Sequence, residues 1–226
     1  MSYYDNSRPG FWSMMTPVVK NLVIINTIML IATYIIGDAM YEKLALFAFN
    51  SPFFKPWQFV THMFMHGGFW HLFFNMYTLM IFGSVLENAW GSKKFLLFYM
   101  VTGLGAALCH DLVLYLQFQH FTAAGNAAAA ANILRIPTVG ASGAIYGVLL
   151  GFGMLFPNAE LRLLFLPFFP LKAKWFVVIF GVIELLTGIS GTADGVAHFA
   201  HLGGMLFGLL LILYGKKNNK MYEYKE

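Results

Sequence analysis

Seven polar side chains sit inside the apolar stretches of this chain: His62, His66, His71 and Asn75 in one stretch, Ser142 in a second, His198 and His201 in a third. A serine hydroxyl is a weak nucleophile until an adjacent base takes its proton, and imidazole is the usual base. Ser142 and His201 meet that demand. Acyl transfer also needs donors aimed at the developing oxyanion. A serine near a helix start has an unpaired backbone N–H and the positive end of the helix dipole, and His71 and Asn75 add side-chain donors. No Asp or Glu lies near Ser142 or His201 in sequence, so a dyad is expected rather than a triad. Orientation of the imidazole then comes from packing, and Tyr146, one turn after Ser142, is the ring to stack on it.

Spacing sorts these residues further. At about 100° per residue, His71 and Asn75 share one helix face, whereas His62 and His66 point elsewhere. Gly67 and Gly68 between the two pairs can bend the helix, and bonding of His62 and His66 to loop backbone or to each other is the simpler reading for them. Gly143, Gly147 and Gly151 recur every four residues, as do Gly204 and Gly208. Such small-xxx-small ridges let helix backbones approach closely. Contact between the two ridges would bring Ser142 and His201 together.

The elements that must hold these groups are membrane spans. The 226 residues are 59% hydrophobic and 11% charged, with mean hydropathy +0.67, far from the roughly 25% charged of a soluble domain. Six apolar runs stand out, about 18–36, 57–86, 95–118, 140–156, 175–189 and 196–214. Most approach the roughly 17–25 residues a spanning helix needs. Asp111 interrupts the third, and the alanine-rich tail after it reads as a short helix at the membrane surface. Lysine and arginine collect on the cytoplasmic side of spans. With six spans and an inside start, only Lys43, Lys55 and Arg135 of the 14 basic residues fall outside, leaving 11 inside. The expectation is an all-α membrane protein, a six-transmembrane-helix bundle with both termini cytoplasmic. Residues 1–17 form a cytoplasmic segment, 18–215 the bundle and 216–226 a basic tail.

The basic balance follows from this bias, so nucleic-acid binding gains no support from it. No cleavable signal peptide is evident in the first 17 residues, which carry Asp5, Arg8 and two prolines. One cysteine, Cys109, excludes an internal disulfide and a thiolate metal cluster. In the six-span topology the second, fourth and sixth runs all pass from outside to inside, and each carries its polar group in its first half. All three groups therefore lie at similar depth toward the outer side. The link Ser190–Gly195 is a candidate flexible lid or an ordinary turn. Glu184, an acid in the middle of the fifth run, is either protonated and bonded to a neighbouring helix, the preferred reading, or part of a substrate gate. Glu87 reads as a boundary residue.

Three motifs, HMFMHGGFWHLFFN, GASGAIYG and AHLGGMLFG, resemble in residues and order those of the rhomboid intramembrane serine proteases, over about 57–214. The resemblance implies Ser142 as nucleophile and His201 as base, because His201 alone has Ala200 before it and glycines three and seven residues after. His198, one turn toward the loop, is a supporting donor. It also implies His71 and Asn75 as oxyanion donors, Tyr146 stacked on the base, and His66 in a structural role. The expected substrates are single-pass membrane proteins in the lipid bilayer, cut within or beside their span at small residues with helix-weakening residues downstream. No cofactor and no metal are implied. Small size and the lack of a soluble appendage suggest a bacterial-type enzyme of the cell (inner) membrane, its site toward the outer side. Trp57-Gln58 departs from the family's frequent Trp-Arg, which puts charged anchoring of the first outer loop in doubt.

Two other readings compete. The histidine pairs resemble metal or haem ligands, but no HExxH motif exists, no carboxylate accompanies them in sequence, and Ser142 would be unexplained. A catalytically inactive relative that binds membrane proteins would be expected to have lost the serine or the histidine, and this chain keeps both.

Overall fold

The computed structural model describes residues 15–163, 166–191 and 196–217. Helix α1 (Pro17–Ile36) leads into a short α2 (Asp38–Leu44), and the chain then passes through a bridge at Leu46 and a series of turns to α3 (Gln58–Thr61) and a 3-10 turn over His62–Phe64. A second long helix covers Phe69–Trp90, made of α4 (Phe69–Thr78), a π-helical turn at Leu79–Gly83 and α5 (Ser84–Trp90). After α6 (Ser92–Ala123) come the short α7 (Ala127–Ile133), α8 (Ser142–Leu155), the hairpin strands β1 (Glu160–Leu163) and β2 (Leu166–Lys172), α9 (Ala173–Ser190) and α10 (His198–Lys217).

Five of these helices are long and apolar enough to cross a membrane: Pro17–Ile36, Phe69–Trp90, Ser92–Ala123, Ala173–Ser190 and His198–Lys217. The chain is a mostly helical, multi-pass membrane protein. The expected fourth span is the exception, because α8 has 14 residues and so rises about 21 Å, short of a hydrocarbon core of roughly 30 Å. Its start is delayed by the chain ahead of it, where Thr138 bridges to Leu46 in extended conformation and Gly140 takes φ 130°. Pro157 follows its other end.

Three further expectations are corrected. The helix of the second run begins at Phe69, not near Trp57, because the chain breaks at Met65–Gly68, where Gly68 has φ 151°. The third run is one unbroken helix of 32 residues. Asp111 does not interrupt it, since its buried carboxylate accepts the Phe49 N–H at 2.9 Å and ties the first loop to α6. The chain is also not purely helical, because 160–172 pairs as an antiparallel hairpin with Glu160 opposite Lys172. The short alanine-rich helix is present as α7, capped by the Asn126 side chain on the Ala129 N–H.

Packing centres on α10, which lies against α6 and α8. Val19, Phe95, Phe98, Tyr99, Val148 and Ile212 fill the core beside it. By contrast α9 turns Val178, Val182, Leu186 and Ile189 outward, the surface that lipid chains would cover. Glu87 is more than a boundary residue: buried, it accepts from the Thr16 and Ser92 hydroxyls and from the Val18 and Val19 N–H groups, joining the starts of α1 and α6. Those N–H groups are among the donors that a helix start leaves without intrahelical partners.

Candidate active site

Glycine decides how closely α8 and α10 approach. A Cβ at Gly204 would collide with the Gly143 carbonyl, and one at Gly208 would stand 3.4 Å from the Gly147 Cα. The two ridges thus face each other as their spacing predicts. Gly151 does not join them and meets Leu86, Trp90 and Phe98 instead. With the backbones this close, His201 Nε2 sits 2.8 Å from Ser142 Oγ. The Tyr146 ring stacks on the imidazole at 4.1 Å between centroids and 6° between planes. A hydroxyl hydrogen-bonded to a neutral imidazole can pass its proton to it, and the stack fixes the plane of that ring.

Ser142 is the first residue of α8, so its own N–H has no intrahelical acceptor. His71 approaches from α4, close enough that a Cβ on Gly140 would lie 2.9 Å from the His71 Nε2 and 3.5 Å from Ser142 Oγ. The Gly67 N–H donates to His71 Nδ1 at 3.3 Å, which leaves the proton on Nε2, the atom turned toward Gly140. Asn75 lies one turn below His71, and its buried Nδ2 has no partner among the described residues. Donors that line one cavity with a hydroxyl are what an oxyanion would use.

His62 and His66 lie ahead of the span that begins at Phe69. His62 Nδ1 bonds the Gln58 carbonyl at 2.8 Å. His66 is fully buried, packs edge-on against His71 at 5.0 Å, and finds no partner for either ring nitrogen among the described residues. Burial pushes the His62 imidazole down to about 4. Burial, with the nearby His71, pushes His66 down to about 3. Gln58 is wholly buried: its Oε1 accepts from the Lys55 and Phe47 N–H groups at 3.0 and 3.4 Å, and its Nε2 donates to the Phe53 and Glu42 carbonyls at 3.1 and 3.4 Å. A neutral side chain therefore anchors the first loop.

The absence of a nearby acid in sequence does not carry over to space. Glu184 of α9 is buried beside His201, with Oε2 at 3.0 Å from His201 Nδ1 and 2.6 Å from His198 Nδ1. Its Oε1 accepts the Tyr146 hydroxyl. The His201 contact lies off the N–H direction and is an electrostatic approach, whereas the His198 contact is a hydrogen bond. His198 also meets the Thr187 hydroxyl at 3.0 Å. Of the preferred reading of Glu184, the bonding to neighbouring helices is found, and it is made to groups of the site itself. Sequence reasoning missed this because α9 and α10 contribute residues that only folding brings together. The one available signal was the cost of an acid inside a span.

Glu184, His198 and His201 also each present one ligand atom, all within 4.8 Å of one another, a set able to hold a metal ion. The sequence-based reason against a metal, that no carboxylate accompanies the histidines, therefore fails in space. His71, Asn75, Ser142, Tyr146, His198 and His201 all line one cavity of about 1290 Å³. His66 is not on its wall, whereas Phe74 and Thr78 of α4 and Phe176 and Phe180 of α9 are. The candidate lid lies largely outside the described residues, since 192–195 are not among them.

Comparison with known proteins agrees on one family. The family model described as Rhomboid domain matches residues 54–218. The mitochondrial Rhomboid protein 1 of Saccharomyces cerevisiae is 32% identical over 161 residues, covering 71% of this chain and 41% of that protein. The Rhomboid protease AarA of Providencia stuartii is 29% identical over 162 residues, 69% of this chain and 54% of that protein. The chloroplastic Rhomboid-like protein 11 of Arabidopsis thaliana is 33% identical over 171 residues, 70% and 52% respectively. The chain thus spans about half the length of these relatives or less.

Proposed function

The chain belongs to the rhomboid family, and from that premise we propose that it is an intramembrane serine endopeptidase, hydrolysing peptide bonds in or beside the span of single-pass membrane proteins. The observation that carries this reading is the 2.8 Å contact of Ser142 Oγ with His201 Nε2, in a cavity shared with His71 and Asn75. Ser142 Oγ attacks the carbonyl carbon as His201 Nε2 takes its proton. The oxyanion is received by the Ser142 N–H, His71 Nε2 and Asn75 Nδ2. Collapse of that intermediate breaks the C–N bond, and the imidazolium returns its proton to the leaving amine. Water, deprotonated by the same imidazole, then frees the acyl group from Ser142.

A substrate helix must unwind before its carbonyl can reach a serine, so small and helix-weakening residues near the cut lower the cost. The short α8 favours the same chemistry: its first residue begins below the level a full span would reach, where a cavity can admit water. Counted as a span, α8 brings the five to six, an even number that puts both termini on one side of the membrane, and the 11 and 3 distribution of basic residues supports the cytoplasm as that side, with the site toward the other. Residues 1–17 and 216–226 flank the bundle of 18–215.

The test is cleavage of single-pass substrates reconstituted in vesicles with the purified protein. Cleavage by the wild type and none by Ser142→Ala supports the reading. Equal cleavage by both, or binding without cleavage by the wild type, overturns it, the latter in favour of an inactive membrane-protein binder.

A further inference from the structure

We propose that Glu184 is a positioning residue for His201, so that Ser142, His201 and Glu184 act as a three-membered chain rather than a dyad. The inference rests on the serine-protease reading and adds a residue to it.

Both oxygens of Glu184 are committed to groups around one imidazole. Oε2 lies 3.0 Å from His201 Nδ1 and is shared with His198 Nδ1 at 2.6 Å. Oε1 holds the hydroxyl of Tyr146, whose ring is stacked on His201. A carboxylate retained only to pin α9 against α10 would be complete with His198. Here it is linked to the base directly and again through the ring that packs on that base.

The tautomer explains why this matters. His201 Nε2 must present its lone pair to the Ser142 hydroxyl, so the ring proton belongs on Nδ1, the nitrogen that faces Glu184. When Nε2 takes the serine proton, the imidazolium gains a positive charge next to the carboxylate. Opposite charges attract strongly where water is scarce, and that attraction is absent while the imidazole is neutral. An interaction made only as charge develops lowers the barrier without tightening substrate binding. Glu184 keeps its charge throughout, and no proton passes to it. The off-line approach of Nδ1 fits a resting site, because such bonds often align only in the reacting complex.

Glu184→Gln preserves shape and removes the charge, Glu184→Asp preserves the charge on a shorter stem, and Tyr146→Phe keeps the stacked ring while releasing Oε1. Each is assayed for kcat and KM on a membrane substrate and for its labelling rate with a small fluorophosphonate, with thermal stability read alongside. For Glu184→Gln we expect kcat and labelling to fall together by about 10²-fold to 10⁴-fold, at unchanged KM. Glu184→Asp recovers part of that loss, and Tyr146→Phe is slowed less than Glu184→Gln.

Labelling of Glu184→Gln at the wild-type rate overturns the inference. So does a defect confined to KM on helical substrates, which marks a gate. Should Glu184→Gln fail to fold, Glu184→Asp and Tyr146→Phe decide, and wild-type rates for both overturn it. If the wild type itself is not labelled, the protease reading fails before this one is reached.

Discussion

Gly204 of α10 faces the carbonyl of Gly143 in α8 so closely that a Cβ between them would collide with backbone. Four residues on, Gly208 is looser, with the nearest atoms to its Cβ at 3.3 and 3.4 Å. Gly204→Ala should therefore push the two helices apart and separate Ser142 from His201. The expected result is loss of most activity and about 1–3 kcal/mol of stability, while Gly208→Ala remains active and folded. Thermal unfolding and substrate cleavage measure both. Equal tolerance of the two substitutions would contradict the close contact.

On the proposed mechanism, His71→Ala and Asn75→Ala each remove a donor to the oxyanion. Each should lower kcat by about 10-fold to 10³-fold with KM little changed, and the fold should persist. A rise in KM at constant kcat would place these residues in substrate binding instead.

Gln58→Ala leaves four backbone groups of the first loop without the partners they now have. Unsatisfied buried groups make this cost on the order of 2 kcal/mol, seen as a lower Tm. An unchanged Tm would show that Gln58 does not anchor the loop.

His62 and His66 are held neutral in the fold, pushed down to about 4 and about 3 by burial. In the unfolded chain each takes a proton near 6.5. The unfolded state therefore binds more protons below that pH, and stability falls as pH drops from about 6.5 toward 4. Unfolding measured across this window should show the loss, reduced in His62→Gln. A flat profile would contradict the burial of these rings as neutral groups.

Much of this arrangement was legible in the residues. Glycines at intervals of four predict the contact of α8 with α10, and the i,i+4 spacing places His71 and Asn75 on one face. Tyr146 one turn after Ser142 predicts the stack. What sequence could not supply was contact between elements. Glu184 lies far from Ser142 along the chain, and nothing local reveals that α9 turns it toward His201. The bend that Gly67 and Gly68 allow is a full break, because the helix stops before Gly67 and restarts at Phe69, so angles along one helix do not relate His62 and His66 to His71. His66 consequently packs against His71 in space. The hairpin at 160–172 was hidden by Pro167 and Pro170, which read as a link, since proline lacks the N–H that a strand ladder uses.

The central claim is that His201 activates Ser142, and mass spectrometry of the fluorophosphonate adduct tests it most directly. Wild-type protein should carry one adduct, on the peptide containing Ser142, with none on Ser142→Ala and a rate reduced at least about 10²-fold in His201→Ala. An adduct on another residue, or equal labelling of wild type and His201→Ala, would contradict it.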